Sequence, residues 1–241
     1  MIHLPTAWWA HYIGDLAAWG GAALAARWQY RRWPEAAHAL ARMTTPSYHV
    51  SLALGALAGA WVLGSANSLH SIAAAPSHSV AGALAGGIIA VEVWKRQNGV
   101  RQSTGAAFVL PLSVGISLGR LGCLFSGLPD FTYGIPTTLP WAFDLGDGIG
   151  RHPVQLYESL AMALFAGLFV AARKRGDKWV HARAFHALII FYAAQRFVWE
   201  FLKPYPKLIG PLNIFHLLML GFAAYGLVWW QRGGDEHDRT D

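Results

Sequence analysis

Residues 104–122 read TGAAFVLPLSVGISLGRLG, and their only ionisable side chain is Arg120. A helix rises 1.5 Å per residue, so about 20 mostly apolar residues cross the hydrocarbon core of a bilayer. This stretch has that length and composition. Working outward, six more stretches share its character: roughly 7–26, 48–66, 78–94, 153–172, 182–202 and 211–230. Over all 241 residues, 54% are hydrophobic and only 13% are charged. Soluble domains carry about 25% charge, so this chain cannot coat a soluble globule of its size. A disordered chain and a nucleic-acid-binding domain are excluded on the same ground. The expected fold is an all-α polytopic membrane protein of about seven transmembrane helices. Residues 1–232 form one integral membrane domain, and 233–241 form a polar cytoplasmic tail.

Orientation follows from the basic residues. Most of the 19 Lys and Arg fall in alternate connections: Arg27, Arg31, Arg32 and Arg42; Lys95, Arg96 and Arg101; Arg173, Lys174, Arg175, Lys178 and Arg183; Arg232 and Arg239. The opposite connections hold only Arg151, Lys203 and Lys207. Cytoplasmic loops carry the basic excess, which puts the N-terminus outside and the C-terminus in the cytoplasm. The first stretch opens at Trp8-Trp9 without a basic leader and contains His11 and Asp15, so it reads as a retained helix. Trp8, Trp9, Trp28, Trp33, Trp199, Trp229 and Trp230 sit at helix ends, where indole rings favour the interface. Gly55 and Gly59, and Gly82 and Gly86, each lie one helical turn apart and let backbones pack closely within the bundle.

The chemistry concentrates in two places. The first is the long external loop between helices 4 and 5, from Gly119-Arg120-Leu121-Gly122-Cys123 to Arg151-His152-Pro153-Val154-Gln155-Leu156-Tyr157-Glu158. It is dense in glycine, proline and ionisable groups. Irregular backbone near a membrane survives only where protein or a wet cavity satisfies its polar groups, so the loop should fold into the outer mouth of the bundle. The second is the sixth stretch. Tyr192, Arg196, Glu200 and Lys203 are spaced by 4, 4 and 3 and form one polar stripe on a helix. A buried arginine costs at least about 2.5 kcal/mol unless paired or hydrated, and Glu200, one turn on, offsets that for Arg196. Two facing arginines repel unless an anion lies between them, and the planar guanidinium fork suits phosphate. The residues alone therefore point to an outward-facing cavity for a lipid with an anionic headgroup.

Other candidates carry less. His152 is either a proton shuttle or a hydrogen-bond donor that holds the loop. A single cysteine, Cys123, excludes internal disulfides and multi-cysteine metal sites and reads as a packing residue or a thiol beside Arg120. His11 and Asp15 either reach the cavity or bond between helices. Asp130, Asp144 and Asp147 are interleaved with glycine and read as turn formers, so neither a metal nor a cofactor is expected.

Gly119-Arg120-Leu121-Gly122, Tyr133-Gly134, Leu139-Pro140-Trp141, the string from Arg151 to Glu158, and Tyr192-x3-Arg196-x3-Glu200 together resemble the prolipoprotein diacylglyceryl transferases, over about residues 78–203. The resemblance implies a multi-pass enzyme of the bacterial plasma (inner) membrane. It would move the diacylglyceryl group of phosphatidylglycerol onto the lipobox cysteine thiol of a prelipoprotein, recognised through its signal peptide, and release glycerol phosphate. It further implies that Arg120 and Arg196 bind and stabilise phosphate charge, that Glu200 orients Arg196, and that Tyr192 bonds the headgroup. Tyr133, Gly134, His152, Gln155, Tyr157 and Glu158 would shape the substrate side. The sequence departs from the family pattern at Cys123 (usually asparagine), Leu128 (usually glutamate, with Asp130 as the alternative carboxylate), Lys203 (usually arginine) and Val80, which stands where the family carries a catalytic histidine. The base is left open between His78 and His152. The alternatives are a related lipid transferase with another acceptor, or a non-catalytic phospholipid-binding or transport protein; no nucleic acid is expected as a partner.

Overall fold

The structure, a computed structural model, describes residues 1–68, 77–177 and 179–235, without the side chains at 67, 68, 181, 182 and 233–235. Lys178 and residues 236–241 of the expected tail lie outside the described residues. The protein is an all-α polytopic membrane protein. Its helices are α1 (Ala10–Arg32), α2 (Glu35–Met43), α3 (Pro46–Ser68), α4 (Val80–Gln97), α5 (Val109–Ser126), α6 (Val154–Arg175), α7 (Trp179–Ala182), α8 (Ala184–Glu200) and α9 (Ile214–Asp235). Each apolar stretch of the sequence forms one of the long helices. Among the described residues, four segments are long and apolar enough to cross a membrane by length and composition: Pro46–Ala66, Gly105–Ser126, Val154–Arg175 and Ile214–Arg232. Large apolar side chains such as Leu16, Trp19, Leu54 and Leu164 face outward, as lipid contact requires.

Three features were not expected. The connection after α1 contains α2, a short helix tied to the end of α6 by Arg173 Nη2 and Glu35 Oε2 at 3.0 Å. Helix α9 continues through residue 233 to Asp235. The long loop joins the N-terminal segment in a small sheet, in which β1 (Ile2–His3) runs parallel to β2 (Phe143–Asp144) and β2 antiparallel to β3 (Gly150–Arg151).

Packing follows the small residues. Gly55 and Gly59 of α3 face Gly86 and Gly82 of α4 so closely that an added Cβ would lie 2.0–2.5 Å from a facing carbonyl oxygen. Helices α1 and α5 meet at Gly14 and Gly122, where a Cβ on Gly14 would fall 2.3 Å from the Gly122 Cα. Two serines join α5 to α6: Ser117 Oγ donates to the Ser159 carbonyl at 2.9 Å, and Ser159 Oγ to the Ser117 carbonyl at 2.8 Å. The core comprises Val109, Leu110 and Ile116 of α5, Met162, Phe165 and Phe169 of α6, Leu188 and Ile189 of α8, and Phe215, Met219 and Phe222 of α9. Helix α6 starts behind Pro153 and stops at Gly176, whose φ of 77° is the left-handed conformation of a helix end.

The N-terminal strand and the 127–153 loop share one end of the bundle. The other end is fastened by Tyr48 Oη donating to Thr104 Oγ1 at 2.9 Å, Trp94 Nε1 donating to Ser47 Oγ at 2.9 Å, and Glu92, which accepts from Lys95 at 3.1 Å and Tyr225 at 2.9 Å.

Candidate active site: a buried cluster of five charges

Helices α5, α6 and α8 converge below the loop and place five charges in contact. Arg120 reaches the last two turns of α5, Glu158 lies in the first two turns of α6, and Arg196 and Glu200 close α8. The turn after α8 adds Lys203. Glu158 is the hub: Arg120 Nε donates to its Oε2, Lys203 Nζ to its Oε1 at 2.6 Å, and Arg196 Nη1 lies 3.7 Å from Oε2. Glu200 Oε1 takes Arg196 Nη2 at 3.0 Å and Lys203 Nζ at 3.3 Å. Exposures are 7% for Arg120, 3% for Arg196, 1% for Glu158 and Lys203, and 0% for Glu200. Three cations against two anions leave one positive charge in excess.

The surroundings hold these groups in place. Tyr192 Oη accepts from Arg196 Nη1 at 3.4 Å, and the Arg196 guanidinium lies 5.1 Å from the centre of the Phe215 ring. Asn213 Nδ2 donates to Glu200 Oε2 at 3.1 Å. Asn213 also caps α9, its Oδ1 accepting from the His216 N–H at 3.0 Å while its own N–H donates to His216 Nδ1 at 3.1 Å. Arg196 Nε and both amide atoms of Gln155 are buried and make no hydrogen bond among the described residues. Such atoms lose their hydration on burial and favour a polar ligand.

Burying one ion costs several kcal/mol even after relaxation, and well-packed apolar residues of similar volume often serve stability better. Five buried charges with a net positive balance are therefore a costly way to pack three helices. The positive charge left over favours an anion close to the cluster.

Sequence reasoning left a phosphate as the anion between the arginines. The structure places Glu158 there, a residue the sequence put only beside the site. The two guanidinium groups share this one environment. Lys203 was legible in the stripe but was not assigned to the site. Asn213 was missed, and its signal was modest: an N-cap residue opening an apolar helix, with a histidine three positions on.

The remaining site residues form the covering layer. The Ile135 N–H donates to the Leu202 carbonyl at 2.7 Å and the His152 N–H to the Ile135 carbonyl at 3.1 Å, which straps the loop across the end of α8. Gly134 fits because a Cβ there would lie 2.3 Å from the His152 carbonyl oxygen. The Tyr133 ring lies under the Arg151 guanidinium at 5.1 Å, and Arg151 is itself held by Asp147 at 2.6 Å. Tyr157 Oη accepts from Trp141 Nε1 at 2.9 Å, and its ring lies 5.1 Å from Trp199 and 6.3 Å from His152. His152 Nδ1 is buried without a hydrogen bond among the described residues. Val80 is the first residue of α4 and 45% exposed, behind Ser79, whose Oγ accepts from the Gly82 N–H at 3.2 Å. His78 is exposed, with its ring 4.2 Å from Trp61.

Farther along the same loop, Asp144 Oδ1 accepts the N–H groups of Gly146, Asp147 and Gly148 at 2.9, 3.1 and 2.9 Å. The Gly146 N–H above all, then that of Gly148, holds this carboxyl below the usual range. The Arg151 guanidinium does the same for Asp147. An apolar groove of about 510 Å³, lined in part by Ile13, Ala17, Leu118, Leu121 and Phe125, runs along α1 and α5. It lies on the helix that carries Arg120. A second cavity of about 190 Å³ lies at the far end of the bundle, among Gln29, Glu35, Thr104 and Arg173, away from the charges.

The family model described as "Prolipoprotein diacylglyceryl transferase" matches residues 16–232. The chain belongs to the prolipoprotein diacylglyceryl transferase family. Curated relatives named phosphatidylglycerol–prolipoprotein diacylglyceryl transferase include those of Nitratidesulfovibrio vulgaris strain DP4, 34% identical over 64% of this chain and 60% of its own length, and Geobacter sulfurreducens, 35% identical over 47% and 45%. That of Finegoldia magna is 31% identical over 50% of this chain and 47% of its own length. The matched parts thus span about half to three fifths of those relatives. No solved structure matches. Family membership and the apolar helices make this a multi-pass bacterial membrane protein.

Proposed function

We propose that this protein transfers the diacylglyceryl group of phosphatidylglycerol to the lipobox cysteine of a prelipoprotein, at the outer face of the bacterial plasma membrane, with its N-terminus outside and C-terminus in the cytoplasm. The observation that carries the reading is the convergence of Arg120 and Arg196 on one buried carboxylate, with one positive charge to spare. A phosphodiester carries one negative charge and matches that excess.

In the transfer, the acceptor sulfur bonds to the glyceryl carbon as the carbon–oxygen bond to phosphate breaks. The departing glycerol phosphate gains negative charge at that moment. Preorganised cations in a site poor in water favour that charge most. The Arg196 Nε and the Gln155 amide are donors not spent on other groups. Glu200, fixed by Asn213, keeps the Arg196 fork in place. The groove along α1 and α5 suits an acyl chain of the bound lipid. The thiol proton needs an acceptor, and the unpaired Nδ1 of His152 at the outer mouth is the candidate.

A second reading, a lipid transferase with another acceptor, is favoured by Val80, which offers no proton-accepting group where the family carries its histidine. The test is to incubate the purified protein with labelled phosphatidylglycerol and a lipobox peptide. The expected result is lipidated peptide and free glycerol phosphate, both absent for Arg120→Ala and Arg196→Ala. Glycerol phosphate release without lipidated peptide would select the second reading, and tight lipid binding without turnover would select a lipid-binding protein.

A further inference from the structure

The close approach of α1 and α5 at Gly14 and Gly122 has a chemical result. His11 lies one turn before Gly14, and Cys123 directly follows Gly122, so the contact brings imidazole and thiol together. Beyond α5 the chain reverses at Gly127, with φ of 74°, and at Phe131, with φ of 54°. That reversal returns Asp130 to the same place. His11 Nδ1 lies 2.8 Å from Asp130 Oδ1. One nitrogen of His11, the Cys123 sulfur and a carboxylate oxygen of Asp130 all lie within 4.8 Å of one another. We propose that His11, Cys123 and Asp130 form a binding site for a divalent transition-metal ion of the zinc class.

The donor set is one thiolate, one imidazole and one carboxylate. This mixture of soft, borderline and hard ligands suits zinc and excludes calcium and magnesium, which take oxygen alone. Three protein ligands leave a tetrahedral ion with an open position, the arrangement of a reactive rather than a closed structural centre. Outer contacts orient the ligands as metal sites require. Thr132 Oγ1 donates to Asp130 Oδ2 and so leaves Oδ1 turned to His11. Asp15 Oδ2 lies 3.5 Å from His11 Nε2, one turn along α1. Arg120 Nη1 lies 3.9 Å from the Cys123 sulfur. Thiolate and Asp130 carboxylate together balance a doubly charged ion. The Asp130 side chain is 8% exposed and that of His11 42%, so the site has a buried wall and an open entrance. Binding replaces the Cys123 sulfur–hydrogen bond by a sulfur–metal bond and releases that proton to solvent.

Sequence reasoning grouped Asp130 with Asp144 and Asp147 as turn formers, because the partners of Asp130 are distant in the chain. The site does not depend on the transferase reading, and its test needs no turnover. The full-length protein in micelles is stripped with a chelator and titrated with Co²⁺. The expected result is one bound ion per chain with near-ultraviolet thiolate-to-cobalt absorption, displaced by Zn²⁺. Cys123→Ser abolishes that absorption. His11→Ala weakens binding at least about tenfold, the least expected for a direct ligand when outer-shell partners alone cost 10–100-fold. His38→Ala, an exposed histidine elsewhere, changes nothing. Absence of the absorption in the wild-type protein, its persistence in Cys123→Ser, or equal weakening by His38→Ala would each overturn the proposal.

Discussion

Replacing Glu158 by glutamine keeps the size of the side chain and removes its charge. In the native cluster Glu158 contacts Arg120, Arg196 and Lys203 while 1% exposed. In Glu158→Gln three cations face Glu200 alone, and the balance shifts from one excess positive charge to two. Removing one partner of a buried ion pair costs about 3–5 kcal/mol, because the remaining charges stay buried and uncompensated. That corresponds to roughly two to four orders of magnitude in the unfolding equilibrium constant. Adding Lys203→Met removes one cation and restores the balance, so the double variant should recover at least half of the loss; the cycle of single and double variants isolates this coupling. The assay is reversible unfolding in mixed micelles, followed by circular dichroism, with and without phosphatidylglycerol. The anionic lipid should stabilise Glu158→Gln more than the wild-type protein, since its phosphate can take the place of the lost carboxylate. A loss below about 1 kcal/mol, the value of an exposed pair, or no recovery in the double variant, would refute the view of Glu158 as the charge hub.

Other predictions follow from the same geometry. Arg196→Lys keeps the charge but loses the planar fork that spans Glu158, Glu200 and Tyr192, and should lower transfer by about 100-fold, as losing one preorganised donor does; initial rates against phosphatidylglycerol concentration check this. Asn213→Ala removes both the cap of α9 and a donor to Glu200, and should cost about 1–2 kcal/mol in the same unfolding assay. Gly14→Leu should separate α1 from α5, costing about 1–3 kcal/mol by overpacking, and should also weaken cobalt binding because it moves His11 from Cys123. In the outer loop, Asp144 and Asp147 have depressed native pKa values, so their contribution to loop order is complete above the ordinary aspartate value, about 4. It is lost as pH falls through the lower native values, and limited proteolysis of residues 143–151 should accelerate only in acid.

The fold was legible because lipid-facing helices must be apolar along their whole length, and segments such as 104–122 and 211–230 show this without any partner. Helix α2 escaped notice because its nine residues are amphipathic and too short for a membrane span. The site was half legible. Spacing alone put Tyr192, Arg196, Glu200 and Lys203 on one face of a helix. It could not show that Glu158 lies between Arg120 and Arg196, because that pairing depends on how α5, α6 and α8 meet. The same holds for His11, Cys123 and Asp130, which are joined by a glycine contact and a left-handed turn.

The central claim is that Arg120 and Arg196 together hold a lipid phosphate. Equilibrium binding of phosphatidylglycerol and of phosphatidylcholine to the protein in nanodiscs, for the wild type and for the Arg120→Gln, Arg196→Gln double variant, tests it most directly. The account predicts a preference for the anionic lipid that disappears in the double variant while the helical content is retained. An unchanged preference in a folded double variant would contradict it.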